Sequence, residues 1–146
     1  LDVVILGATE IDFNFNVNVT TDSHQNIIGG SGGHSDTASE SNVCIIVSPL
    51  IKGRIPIIKS RVTTITTLGE NVDCFVTERG IAINPKRKDL LLKLKNTKLN
   101  ILSIKELSTL AHNYTGIPIE STQTTKKIGM IEDRTQEVID YLYQTK

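Results

Sequence analysis

The sequence predicts an α/β domain with a mixed sheet, and three observations lead there. Two short apolar runs, "DVVIL" (residues 2–6) and "VCIIVSPL" (43–50), have the length and β-branching of buried strands. The segment "IDFNFNVNVT" (11–20) alternates with a period of two, as a half-buried strand does. The second half then turns to helical spacing, with Leu90, Leu91 and Leu94 sharing one face. Strands lead, and helices interrupt and follow.

Taken in order, residues 2–6 form a strand ending at Gly7. In 11–20, Phe13, Phe15, Val17 and Val19 face one way and Asn14, Asn16 and Asn18 the other, an unusual row because asparagine is a poor strand former. "TDSHQN" is a turn, "II" (27–28) a short strand, and "DTASESN" (36–42) has room for a turn or two of helix. "VCIIVSPL" is the most hydrophobic run and predicts a central strand stopped by Pro49. "KGRIP" is a loop and "IIKSRVTTITT" (57–67) a long threonine-rich strand. A turn at 69–71 leads to the strands "VDCFVTE" and "RGIAIN". Asn84 as N-cap with Pro85 at the first helical position opens one helix. Ser103 three residues before Glu106 forms a capping box that opens another, ended near Gly116 with Pro118 beyond. "KIGMIEDRTQEVIDYLYQ" has apolar runs on either side of "EDRT", which favours a hairpin over a helix. There is no internal repeat and no low-complexity segment.

A chain of 146 residues is one domain (1–146), large enough to bury about 68–70% of its unfolded surface without staples. Sixteen acidic and sixteen basic residues balance, which argues against nucleic acid as a partner. Cys44 and Cys74 lie among apolar neighbours and read as buried reduced thiols, in keeping with the reducing cytoplasm. No apolar run reaches the ~18 residues of a membrane span. The chain opens inside a strand and without methionine, which suggests a piece of a longer protein and therefore a partial site.

The stretch "GGSGGHSDTA" (29–38) raises the functional question, because it packs four glycines into five residues of a β-branched, apolar sequence. It lacks the lysine of a Walker loop and the spacing of the dinucleotide fingerprint. What remains is general: successive glycine N–H groups can converge on an anion, and a ligand can approach a main chain that has no Cβ. A helix starting near Asp36 would strengthen such a site, while a plain surface loop is the competing reading. Asp36 is expected to cap that helix, with His34 at the loop's exit. No recognised ligand spacing joins His24, His34, Asp12 and Asp36, so no metal is expected. Arg54 and Arg61 flank a strand and would suit a carboxylate-rich ligand, since the guanidinium fork binds carboxylates bidentately; exposed basic residues are the alternative. The run "KRK" (86–88) reads as a solvated helix face.

Together, "VVILGATEIDFNFNVNV", "GGSGGHSDTA", "IIVSPLIKGRIPIIKSRVTTITTLGENVDCFVTERGIAINP" and the late "VID" resemble the C-terminal part of the citrate lyase alpha chain family, and more distantly the CoA-transferases. The resemblance is strongest over residues 3–85 and looser over 86–127. It implies a CoA-transferase-like, mixed-sheet domain with flanking helices, one half of a two-domain enzyme. It further implies a cytoplasmic, oligomeric complex of alpha, beta and gamma chains. The implied reaction exchanges citrate for acetate on an acyl carrier protein (the gamma chain), whose thiol belongs to a phosphoribosyl-dephospho-CoA group. A citryl lyase (the beta chain) then cleaves the product, and no cofactor is held covalently by this chain.

On this resemblance Gly30, Gly32, Gly33 and His34 would donate hydrogen bonds to the oxyanion of a tetrahedral intermediate, where one lost donor typically costs about 2.7–4 kcal/mol. Gly29, Gly30, Asp36, Asn16 and Asn18 would contact the thioester or the pantetheine, and Arg54 and Arg61 the citrate. No motif matches the glutamate that forms a covalent thioester in many CoA-transferases, so no nucleophile is assigned. Citramalate or a simpler acid as substrate, or a non-catalytic scaffold that docks the carrier or the lyase, are the alternatives. The isolated chain is expected to be inactive.

Overall fold

The computed structural model describes residues 1–118 and 125–144. Its main sheet has the order β1-β4-β8-β9, from β1 (Val3–Gly7), β4 (Val43–Val47), β8 (Cys74–Thr77) and β9 (Gly80–Ile83). The first three strands run parallel and β9 returns antiparallel to β8, so the sheet is mixed, as expected. β4 is central, as its hydrophobicity predicts. A smaller sheet, β3-β2-β7, is built from β2 (Glu10–Asp12), β3 (Val17–Asn18) and β7 (Ile58–Lys59). Two hairpins complete the strands: β5 (Ile51–Lys52) with β6 (Ile55–Pro56), and β10 (Lys127–Glu132) with β11 (Val138–Tyr143). The late hairpin is therefore the one expected.

The helices are α1 (His34–Ser39), α2 (Lys88–Leu94) and α3 (Ile104–Thr115). α3 opens with the predicted capping box, Glu106 N–H donating to Ser103 Oγ and Ser103 N–H to Glu106 Oε2. It buries Ile104, Leu107 and Ala111, one helical face, against a core formed with Phe15, Ile11, Ile46, Leu50, Ile58 and Phe75. The opposite face of the main sheet is partly bare: Val3 and Ile5 are 53% and 66% exposed, and Val47 is 43% exposed.

Five local expectations differ from the structure. The period-two segment 11–20 is not one strand, because the Asp12 carboxylate folds it back: Oδ1 accepts from Asn14 N–H and Asn16 N–H at 2.9 and 3.0 Å, and Phe15 takes a positive φ of 65°. The asparagines thus lie in a turn and in a buried strand, not on an open face. Ile27 and Ile28 form no strand beyond an isolated bridge from Ile27 to Thr21. The threonine-rich run is a strand only at β7, since its hydroxyls bond across the chain in place of a ladder. Asn84 does not cap α2, which begins at Lys88 after Arg87; its amide instead donates to Gly69 O and Val72 O at 2.9 and 2.8 Å. "KRK" is likewise no free face, since Arg87 lies 2.9 Å from the buried Asp73 carboxylate and Lys86 3.4 Å from it.

Candidate active site at the glycine loop

The glycine loop crosses the carboxyl end of β1, the end of a parallel sheet at which α/β proteins place ligands. Its entrance is fixed by Ile28 N–H and Gly29 N–H, both donating to Thr20 O, at 2.9 and 3.4 Å. Its exit is fixed by His34, whose Nε2 lies 2.9 Å from Gly7 O and whose Nδ1 lies 2.8 Å from Thr67 Oγ1. A carbonyl can only accept, so Nε2 carries the proton and Nδ1 accepts from the threonine hydroxyl. Burial holds the His34 pKa below its ordinary value, with the Gly7 contact opposing, and this favours the same neutral tautomer.

Between these anchors the N–H groups of Gly30, Ser31, Gly32 and Gly33 have no acceptor among the described residues. A Cβ built on Gly29, Gly30 or Gly32 meets nothing within 4 Å, and one on Gly33 meets only Thr37 Cγ2, at 3.9 Å. Of these glycines Gly32 alone has a positive φ, 52°. The chain's own backbone conformation therefore explains one glycine of the four, and its packing explains none. The others leave open space beside unpaired donors, an arrangement suited to an anionic or thioester group lying against the main chain.

The remaining predicted residues lie elsewhere or serve the fold. Asp36 does not cap α1: the N-cap is Gly33, no side-chain bond caps the helix, and Asp36 lies in its first turn. It lines a cleft of about 430 Å³ beside Glu40, Glu70, Asp133 and Arg134. With both ring nitrogens engaged, and its N–H donating to Ser31 O at 3.0 Å, His34 shapes the loop and presents no free donor. Asn16 donates to Asp12 Oδ2 and accepts from Gly69 N–H at 2.9 Å, so it closes a turn. Asn18 is fully buried; its amide donates to Glu10 Oε2 and Thr21 O, and its carbonyl accepts from Thr20 N–H and Thr21 N–H. Arg54 lies in the turn of the β5–β6 hairpin at φ 67°, exposed and without an ion pair among the described residues. Arg61 is 72% exposed at the side chain, 3.7 Å from Asp140. It lines a larger cleft of about 630 Å³ with Phe13, His24, Lys59 and His112, which the glycine loop does not enter. In this chain the two arginines and the loop do not form one constellation.

No pattern in the sequence marked Glu10, which is 1% exposed and accepts from Asn18, Ser23, Thr63 N–H and the Thr63 hydroxyl. Nor did any mark Thr66 and Thr67, both fully buried beside the loop's anchors. Burial, with the negative charge of Asp73 adding to it, pushes the Cys44 thiol up to about 12 and the Cys74 thiol to about 11, so neither is a thiolate nucleophile near neutral pH. Among the described residues no three His, Cys, Asp or Glu side chains are grouped to hold a metal, and no helix is long and apolar enough to cross a membrane.

The family model described as "Citrate lyase, alpha subunit" matches residues 1–145. The citrate lyase alpha chains of Haemophilus influenzae and Escherichia coli K12 are 49% and 44% identical over all 146 residues, which span 29% of each relative. Among solved structures, the alpha subunit of citrate lyase from Streptococcus mutans, in complex with citrate, superposes with a TM-score of 0.96 at 43% identity, over 100% of this chain and 29% of that one. An acyl-CoA transferase from Escherichia coli O157:H7 superposes with a TM-score of 0.51 at 21% identity, over 84% of this chain and 31% of that one, a likeness of fold. The predicted CoA-transferase-like α/β class is thus the observed one, and the chain belongs to the citrate lyase alpha subunit family.

Proposed function

We propose that this chain supplies part of the active site of an acyl-transferase that exchanges citrate for acetate on the thioester of an acyl carrier protein. The observation that carries the reading is the row of N–H groups from Gly30 to Gly33 that find no acceptor among the described residues, bordered by open space. A citrate carboxylate oxygen attacks the acetyl thioester carbonyl. The tetrahedral oxyanion then collapses with loss of the carrier thiolate, leaving an acetic–citric anhydride. The thiolate next attacks the citryl carbonyl and releases acetate. Both steps pass through an oxyanion, and fixed backbone donors stabilise it without reorganising. Glycines also let a pantetheine arm lie against the main chain. Family membership and the citrate held by the Streptococcus mutans relative support citrate as the acid. The rest of the site, the gamma-chain carrier with its phosphoribosyl-dephospho-CoA group, the beta-chain lyase and a cytoplasmic complex belong to the same proposal.

The test uses the full-length parent protein with acetylated carrier and citrate, without lyase, following the carrier's intact mass. Conversion from acetyl to citryl mass supports the reading. Conversion only with citramalate or a simple acid keeps the transferase and changes its substrate, and no conversion with any acid points to a scaffold.

A further inference from the structure

We infer that Thr66 and Thr67 are positioning residues that hold the two ends of the glycine loop through adjacent hydroxyls, an inference that rests on reading the loop as the transfer site. At the entrance, the carbonyl of Thr20 accepts from Ile28 and Gly29, and the Thr20 hydroxyl lies 2.9 Å from Thr66 Oγ1, which also accepts from Val19 N–H at 3.1 Å. At the exit, the Thr67 hydroxyl lies 2.8 Å from His34 Nδ1. The pair is itself anchored: Thr66 N–H and Thr67 N–H both donate to Val17 O, at 2.8 and 3.1 Å, and Val17 N–H donates to Thr67 O at 2.9 Å. One dipeptide fixed to β3 thereby sets both ends of the segment whose N–H groups face open space. Val has the same shape as Thr and would fill these fully buried positions equally well. The hydroxyls are the difference, and both bond to the loop's anchors.

Thr66→Val, Thr67→Val and the matching serine variants, made in the full-length parent, test the inference by transfer kinetics and by hydrogen exchange of the bonded amides at the loop's two ends, Ile28, Gly29 and His34. The valine variants are expected to lower kcat by about 10- to 100-fold, leave the KM for citrate near its original value, and speed exchange of the loop. The serine variants, which keep the hydroxyls, should restore both. Wild-type exchange in the valine variants overturns the inference, and so does a serine variant as impaired as its valine partner, because packing would then be the cause. If Thr67→Val does not fold, His34→Leu severs the same link from the partly exposed side; unchanged loop exchange there also overturns it. Gly30→Val separates the two readings. If that variant keeps full transfer activity the transfer site is misplaced, yet loop exchange in the threonine variants still decides the positioning.

Discussion

Gly69 and the glycines of residues 29–33 are chemically identical and do opposite work. A Cβ on Gly69 would sit 1.9 Å from the carbonyl oxygen of Asn14 and 2.8 Å from the carbonyl carbon of Phe15. The turn that Asp12 organises comes to rest against it, and Asn16 accepts its N–H. The main chain itself fills the space that a side chain would take. At Gly29 and Gly30 the corresponding space is empty, and their backbone lies outside the left-handed region. The first kind of glycine is demanded by the fold. The second is not demanded by the fold, and this contrast is what singles the loop out as the candidate site.

The contrast can be broken experimentally. Gly69→Ala is expected to have the largest effect: the obstacle is backbone, so the loss should reach or exceed the upper end of the usual overpacking range of about 1–3 kcal/mol, read by thermal or denaturant unfolding. Equal stability in that variant would remove the distinction. Gly30→Val keeps its N–H but fills the open space beside the donors; it should leave unfolding unchanged while lowering transfer by about 10²–10³-fold, as much as moving the oxyanion out of reach of one donor. An alanine pair sharpens the comparison within the loop. Gly32→Ala, at φ 52°, should destabilise by about 1–2 kcal/mol, whereas Gly30→Ala should be neutral or stabilising by about 0.4–1 kcal/mol. Matching values for the two would mean that conformation does not distinguish them.

The smallest effect concerns pH. Burial keeps the folded-state pKa of His34 below the unfolded value of about 6.5. The native state then binds fewer protons, so the contribution of His34 to stability is present above about pH 6.5 and is lost as the pH falls through the folded value. His34→Gln should therefore show a shallower fall in melting temperature than the wild type between about pH 7.5 and about pH 5.5. Parallel curves would show that the imidazole takes up protons equally in the folded and unfolded states.

Local signals carried most of the architecture. β1, β4, the β8–β9 pair, the capping box of α3 and the late hairpin each rest on a few adjacent residues, and each is where the pattern put it. The misses share a different cause. The alternation of residues 11–20 hides a turn because Asp12 makes it with its side chain, which periodicity does not register. Asn84 looked like a helix cap because its bonds to Gly69 and Val72 come from earlier in the chain. The glycine loop stood out from composition alone as a candidate site. The role of His34 was not, because its partners lie 27 and 33 residues away, and neither Gly7 nor Thr67 carries a mark that would tie it to a histidine.

The bare face of β1 also bears on how the chain behaves in a test tube. Val3 and Ile5 point into water from the end strand of the main sheet, and Val47 widens the strip. A greasy strip beside a free strand edge is a template for strand-to-strand self-association. Prepared by itself, the 146-residue chain should scatter light increasingly with concentration, and Ile5→Lys should suppress it. A silent assay of the isolated chain then has two separate causes, an incomplete site or clumped material, and scattering measured on the same sample tells them apart.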